Sequence, residues 1–572
     1  ARLDGLSSAE RAVIQRASVV GRVFWDTSVE HMSAGAADAG TGPIFESTLT
    51  QKDIAAALEG LRRKGLVFRR ERSAFAGTVE YLFKHELLRN VAYESLLKKT
   101  RRRHHGRLAE WLKDHSGGRV HEFAGQVAAH FELAARLAEA AEWHGRAAQQ
   151  ARLGYAPATA SEHYKKALQL LPPDAARDKA LQQQQLEWHE GLVETLGAQA
   201  RFSEAMDFCN TMRQLARSLC DSAAEARSWN HAAYLHERRG DNRSSIQCAE
   251  QAEALARSLS EAGRAEKIRA LHIKGWAYYR LGEAPQVLAL GQQTLMLCAE
   301  DENRRGMATS FKLLGVAQLQ LGNYAAANSF FEQGQALYRE MGDARNTAAM
   351  WSNRGETARA RGDFKSAADL YDKALSMVRQ IGNRDSELIY LCNLSGARLG
   401  LGQFAEAEMD LRHVIAQTLT PNSCNLSEAY TFLSEACLGQ GKLAEAARTA
   451  QKSLPLARES ESGLNLGGAW RALGRIGATV LTSPPPACAN LIDPEAPMPE
   501  PAHCFSESLK VFQAMDARGE QARTLREWGA YEMSRGEQAQ GAARLQEARA
   551  IFLNLDATFE VAITDRILET TL

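Results

Sequence analysis

Asn353 and Asn393 stand 40 residues apart in matching surroundings. A carboxamide both donates and accepts hydrogen bonds, so a row of them at one register position can hold a peptide backbone. Each can equally bond a neighbouring helix or face solvent. The equivalent positions Ile273, Leu313 and Phe432 are apolar, which keeps any such row short. Arg359 and Arg361 would add charge for an acidic ligand, or simply be solvated. A second stretch is strongly basic: 14 Lys/Arg and four acids lie between Arg62 and Arg107. It includes Arg62, Arg63 and Lys64, then Arg69 and Arg70, then Arg101, Arg102 and Arg103. Such a density of cations could neutralise nucleic-acid phosphates. It could also be a solvated helix face that docks on an acidic domain. The helix that would enter a groove offers Ala55, Ala56, Ala57 and Glu59 before its arginines, a poor set for reading base edges.

Other chemistry is missing from the sequence. There is no Gly-x-x-x-x-Gly-Lys-Ser/Thr phosphate loop, no His-Glu-x-x-His, no Gly-x-Ser-x-Gly and no kinase His-Arg-Asp. His104 and His105 are adjacent on a helical pattern, so they face different ways and make a poor metal pair. No cofactor, metal or catalytic residue is expected in this chain.

The elements that position the asparagines follow a repeat. Gly282, Gly322, Gly362 and Gly402 recur every 40 residues. Eleven positions before them stand Leu271, Phe311, Trp351 and Leu391; seven before, Gly275, Gly315, Gly355 and Ser395. Five after stand Val287, Ala327, Ala367 and Ala407. A period of this length marks a solenoid of stacked helix pairs. The small residues let helix axes approach to roughly 8–10 Å, and the periodic glycine caps the first helix in a left-handed conformation. Gly342 and Gly382 end the second helices. Truncating Trp351 is expected to cost more than removing any surface charge. The units around Ser245 and Gly541 lack the usual alanine; either they are looser or the repeat register shifts there.

The first 118 residues read differently. Ser7 and Glu10 form a capping box before Val13, Ile14 and Ala17. A second helix places Ile54, Leu58 and Leu61 on one face and stops at Gly65. Leu66–Phe68, a turn at Gly77, and the alternating Val79, Tyr81 and Phe83 predict a β-hairpin. Helices followed by a hairpin are the order of a winged helix. A further helix carries Leu88, Ala92 and Leu96, and the next Leu108, Trp111 and Leu112. The expected organisation is a winged-helix domain with a linking helix at 1–118, degenerate helical repeats at 119–224, and regular repeats at 225–481. A Pro-rich insertion follows at 482–501 and further repeats at 502–572. The insertion holds seven of the chain's 14 prolines and reads as a partner-docking segment or a tolerated loop.

Composition sets the class. A chain of 572 residues exceeds one ordinary core. Lys+Arg and Asp+Glu both number 69, but residues 1–118 hold 20 of the former against 14 of the latter. Nine scattered cysteines without a Cys-x-x-Cys pair suggest a reducing compartment. Without a candidate membrane span or signal peptide, the expectation is cytoplasmic. The start at Ala1 suggests a piece of something longer.

Phe311, Leu314, Gly315, Tyr324, Ala327 and Phe331 resemble the tetratricopeptide repeat in its 40-residue form, as in many bacterial regulators and kinesin light chains. The resemblance implies a mainly α chain, an α-α superhelix whose concave face binds a protein or peptide. Three further stretches carry a second resemblance: Arg2–Leu6, Ala17–Trp25, and Phe83-Lys84-His85-Glu86-Leu87-Leu88 continuing to Leu97. They are similar to the region after the ATPase core of bacterial signal-transduction ATPases of the STAND class. Such proteins often carry a class III adenylate/guanylate cyclase or a protein kinase in front and a repeat arm behind. The resemblance implies an intramolecular ATPase domain as partner, and it gives His85 a contact near the nucleotide phosphates of that domain. The expected function is a non-catalytic sensor arm coupled to a nucleotide switch. The alternative is a transcription regulator with a DNA-binding winged helix and a ligand-sensing array.

Overall fold

The computed structural model describes residues 5–34, 49–172, 178–257, 261–418, 424–460, 462–482 and 498–570. Helix α1 (Ser8–Val20) starts at the capping box: the Glu10 carboxylate accepts from the Ser7 N–H at 2.8 Å, and Ser7 Oγ accepts from the Glu10 N–H at 3.2 Å. A short strand, β1 (Val23–Trp25), leads into α2 (Asp26–Ser33). The sequence pattern assigned no strand there, because its pairing partner, Glu80–Leu82, lies more than 50 residues later. Helix α3 (Gln51–Arg63) buries Ile54, Leu58 and Leu61 and ends before Gly65, at φ +66°. Strands β2 (Val67–Arg69) and β3 (Glu80–Phe83) pair antiparallel, with Val67 opposite Phe83. β1 pairs with the other edge of β3, giving the order β1-β3-β2.

Consecutive strand residues point to opposite faces, and both faces of this sheet are covered. Phe24, Tyr81 and Phe83 pack on α1 and α3. Trp25 lies on the other face, stacked on Trp111 at 5.4 Å, with Phe75 edge-on. Glu80 also points there, and it is buried. Its carboxylate accepts from Trp25 Nε1 at 3.1 Å, Arg70 at 2.6 Å and the Ala74 N–H at 3.0 Å. Helix α4 (Glu86–Glu94) stops two residues before Leu96, since Arg101 of α5 (Lys98–His115) donates to the Glu94 and Leu96 carbonyls. The Trp25–Trp111 cluster continues through a 3₁₀ turn (Gly117–Phe123) into α6 (Ala124–Leu133) and α7 (Leu137–Leu153), by way of Phe131 and Trp143. Three more helices follow: α8 (Pro157–Gln169), α9 (Lys179–Ala198) and α10 (Phe202–Ser218). The chain to Cys220 is one compact unit, and Asp221 onward is a second.

The second unit is a succession of antiparallel helix pairs. They are α11 (Ser222–Arg239) and α12 (Asn242–Ala256), α13 (Glu261–Leu281) and α14 (Ala284–Glu300), α15 (Arg304–Gln320) and α16 (Tyr324–Glu340), α17 (Ala344–Ala360) and α18 (Phe364–Gln380). Next come α19 (Arg384–Gly400) and α20 (Phe404–Gln417), α21 (Cys424–Gly439) and α22 (Leu443–Glu459), α23 (Gly463–Thr482) and α24 (Pro501–Ala514), α25 (Arg518–Ser534) and α26 (Gln538–Asn554). Helix α27 (Thr558–Thr570) closes the series. The periodic glycines adopt the left-handed conformation the pattern requires, with φ from +75° at Gly402 to +84° at Gly282. The small residues mark contacts: a Cβ on Gly355 would lie 2.8 Å from the Tyr371 ring, and one on Gly315 would collide with Phe331. Asn303, Asp343, Asp363 and Asn383 cap successive helices by accepting a backbone N–H.

Burial refines one expectation and reverses another. Trp351 is only half-buried, lying under Arg354 and Lys373, each about 5.1 Å from its ring. The fully buried aromatic rings of these units are Phe331 and Tyr371, one helix later, where the stack closes around them. The unit at Gly541 is not loose either. A Cβ on Gly541 would lie 2.7 Å from the Gly529 carbonyl oxygen, so two glycines replace the alanine contact with an even closer backbone approach. Ser245 is likewise fully buried. Most of the Pro-rich insertion, 483–497, lies outside the described residues.

Candidate binding face

Within the second unit the odd-numbered helices contact one another in turn, α19 with α21, α21 with α23, α23 with α25, and α13 also meets α23. The array therefore winds back on itself. Three of the four 40-residue glycines lie along the seam where it does so. A Cβ on Gly282 would meet Met515 at 2.5 Å, one on Gly322 would meet Leu555 at 2.7 Å, and one on Gly362 would meet Phe559 at 3.0 Å. Gly342, Gly382 and Gly402 have similar positive φ and nothing within 4 Å. Polar contacts cross the same seam. Arg523 donates to the Ala360 carbonyl at 2.7 Å, and Gln320 donates to the Met515 carbonyl at 3.4 Å across 195 residues of chain. Tyr324 packs with Phe552 and Leu555.

Inside this winding, charged side chains from several helices meet. Arg471 pairs with Glu520 at 2.6 Å. Arg475 bridges Glu435 and Glu527, at 3.3 Å each, and so ties α21 to α25 through α23. Arg523 reaches Glu560 at 2.8 Å, and Arg526 bonds the same carboxylate. On α17, Glu356 accepts from Arg359 Nε at 3.1 Å and from the Tyr371 hydroxyl at 2.7 Å. Burial opposes ionisation of Glu356, but the Arg359 guanidinium and Tyr371 hydroxyl outweigh it and hold the carboxyl below its usual range. Lys312 lies 5.0 Å from the centre of the Trp276 ring, and burial pushes its ammonium down to about 8. Of this face the sequence pattern singles out Arg359 and Asn353, but none of the charged residues of α21, α23 and α25. The advance signal for those residues is the i, i+4 spacing of Arg471 with Arg475 and of Arg523 with Glu527.

The residues singled out from sequence are placed as follows. Asn353 is half-buried, and its Nδ2 is buried without a hydrogen-bond partner among the described residues. Asn393 Nδ2 donates to Ser352 Oγ on α17 at 3.1 Å, the neighbouring-helix alternative. The two carboxamides therefore do not form a repeated pair of open amides. Arg359 bonds Glu356 and lies 5.6 Å from the Phe432 ring centre. Arg361 faces Asp556 across the seam at 3.9 Å.

In the first unit, Arg62 and Arg63 bond Glu59, Lys64 bonds Glu10 at 2.6 Å, and Arg70 bonds the buried Glu80. Arg101 holds carbonyls and lies 4.6 Å from the Tyr93 ring centre. Arg69 and Arg102 are exposed without an ion pair among the described residues, and burial lowers the Arg103 guanidinium. His85 is exposed at the start of α4, on an open pocket it shares with Lys64, Gly65 and Lys84. His104 and His105 are buried, and His105 bonds Tyr93 and His130, both at 2.9 Å.

The tetratricopeptide repeat family model matches residues 346–418. That stretch contains Asn353, Glu356, Arg359, Arg361 and Asn393. No curated protein sequence matches the chain. Among solved structures, a Rap protein complexed with competence and sporulation factor is 11% identical and covers 65% of this chain and 98% of its own, with a TM-score of 0.48. The apo form of RapI is 12% identical, covering 48% and 98%, at 0.40. A signal transduction ATPase with numerous domains and a tetratricopeptide repeat sensor, from Pyrococcus horikoshii, is 14% identical, covering 77% and 65%, at 0.36. The chain is mainly α-helical, with a superhelix of tetratricopeptide-like repeats. No described helix is long and apolar enough to cross a membrane.

Proposed function

We propose that this chain is a non-catalytic sensor arm. Its repeat superhelix binds a protein or peptide, and its N-terminal part, a winged-helix module, couples that event to a nucleotide-controlled domain. The observation that carries the ligand-binding half is the inner face: polar and charged groups from α17, α21, α23 and α25 converge there, partly open to solvent, where a purely structural solenoid would pack apolar side chains. The coupling half rests on the Phe83-Lys84-His85 stretch and on the pocket that His85 shares with Lys64 and Lys84. That arrangement suits a phosphate.

DNA binding is the weaker reading. Most of the basic residues proposed for it already bond local carboxylates or carbonyls, and the outward face of α3 carries Glu59 among its arginines. Fluorescence anisotropy with a duplex at low salt is expected to give no binding; salt-dependent binding would restore that reading. Affinity selection of random peptides on the intact chain tests the sensor reading. Retention of a defined peptide class is expected, and retention of none would overturn it. Coupling is tested by joining the chain to its nucleotide-binding partner domain, where His85→Ala is expected to speed nucleotide release.

A further inference from the structure

The arginines and carboxylates of the inner face do not pair off one to one. Its arginines are Arg359, Arg471, Arg475, Arg523 and Arg526, and each is paired to a carboxylate. The carboxylates so engaged are Glu356, Glu435, Glu520, Glu527 and Glu560. A sixth, Glu428, stands on α21 two turns before Glu435, on the same helix face. Among the described residues no ion pair or hydrogen bond reaches it. Yet it lies within electrostatic range of Glu356 and Arg359 on α17, Tyr371 on α18, Cys392 on α19 and Glu520 on α25. A second unmet group is close by in the fold. The Asn353 Nδ2, buried and without a partner, is one helical turn before Glu356 on α17. One face thus presents an unpaired acceptor of negative charge and an unpaired neutral donor.

We infer that Glu428 anchors the positively charged group of a peptide ligand, its free α-ammonium or a Lys or Arg side chain, while the Asn353 carboxamide donates to one of that ligand's carbonyls. This deepens the reading of the inner face as a peptide site and rests on it. An uncompensated, partly desolvated carboxylate is costly to ionise, and two like charges add to that cost. Burial, and then the Glu356 and Glu520 carboxylates, push Glu428 up to about 7 against the opposing Arg359. An incoming cation reverses this balance, because it supplies Glu428 with the counter-charge it lacks. Every other carboxylate there would have to give up an arginine first.

The experiment uses the intact chain and two synthetic hexapeptide pools. One has free amino termini; the other is N-acetylated and contains no Lys or Arg. A third pool, N-acetylated but containing Lys and Arg, separates side-chain from terminal recognition. Capture is expected from the first and third pools but not the second. The tightest peptide is expected to bind Glu428→Gln about tenfold more weakly, the scale of one lost charge-assisted hydrogen bond. Asn353→Ala should weaken it several-fold. Calorimetry at pH 7 in buffers of differing ionisation enthalpy should show proton release on binding to the parent that is absent with Glu428→Gln. Both variants are used only if their unfolding transitions match the parent, with Glu428→Asp as the charge-retaining control. Equal capture of the acetylated Lys/Arg-free pool, or unchanged affinity in Glu428→Gln, overturns this inference and leaves peptide binding standing. Capture from no pool overturns both.

Discussion

Single residues divide sharply by how completely they are enclosed. Phe331 is fully buried against Gly315, while Trp351 keeps part of its ring in solvent under two cations. Removing a buried aromatic costs roughly 3–5 kcal/mol because the cavity does not collapse. Phe331→Ala should therefore lower the denaturation midpoint clearly more than Trp351→Ala, and equal shifts in urea titrations would contradict the packing described. The buried histidines act through pH. Burial, followed by Arg16 and Arg103, pushes His104 down to about 3. Burial and His130 do the same to His105, and burial alone takes His130 to about 4. In the unfolded chain these groups return to the ordinary value near 6.5, so the unfolded state binds protons first. The stability they carry is complete above about pH 6.5 and is lost progressively as pH falls toward 3. Hydrogen exchange of α5 should accelerate over that window, and His130→Gln should make the dependence shallower. A flat profile between pH 7 and 4.5 would count against neutral buried imidazoles.

At the scale of elements, the helix pairs were legible in the sequence because their signals are local. A capping box, a glycine at a helix end and a small residue facing a ring each need only a few neighbouring residues. Gly315, Gly342 and the helix α1 start were all readable this way. The third strand was not, because Val23–Trp25 is recognisable only by its pairing with Leu82 to Glu80, more than 50 residues later. The glycines at 282, 322 and 362 were read as caps, which they are, but the sequence could not reveal their second contact across the seam. Gly362 and Gly382 separate the two roles. Both sit at positive φ, +83° and +68°, so an alanine at either costs roughly 1–2 kcal/mol of backbone strain. Only at Gly362 would the added Cβ also lie 3.0 Å from Phe559 Cβ and 3.4 Å from the Glu560 backbone nitrogen, atoms too near the main chain to swing away. Gly362→Ala is expected to destabilise more than Gly382→Ala and to raise hydrogen exchange selectively in α27. Matching exchange patterns for the two variants would remove the seam as a cause.

For the whole molecule, the seam changes how the repeats unfold. In an open solenoid each unit touches only its neighbours, so ends fray and stability is a sum of local terms. Here Arg523, Gln320 and Tyr324 tie helices more than 160 residues apart in sequence. The C-terminal helices α24–α27 should then be as protected from exchange as the middle of the array, and the second unit should melt in one transition. The first unit has its own aromatic core around Trp25 and Trp111, so the full chain should show two transitions rather than one. Arg523→Ala probes the coupling most directly. It removes the donor to the Ala360 carbonyl and leaves Glu560, whose side chain is 1% exposed, with Arg526 as its sole remaining cation. Breaking a buried pair from one side costs about 3–5 kcal/mol. That loss falls on the seam, so α24–α27 should exchange early while α13–α18 stay protected, and the single transition of the second unit should split. If the variant instead melts in one step at a uniformly lower temperature, the array is held by a continuous core and the seam adds nothing to its cooperativity. If it splits, the same closure that makes the unit cooperative also surrounds the charged inner face, and a ligand reaching Glu428 must enter past it.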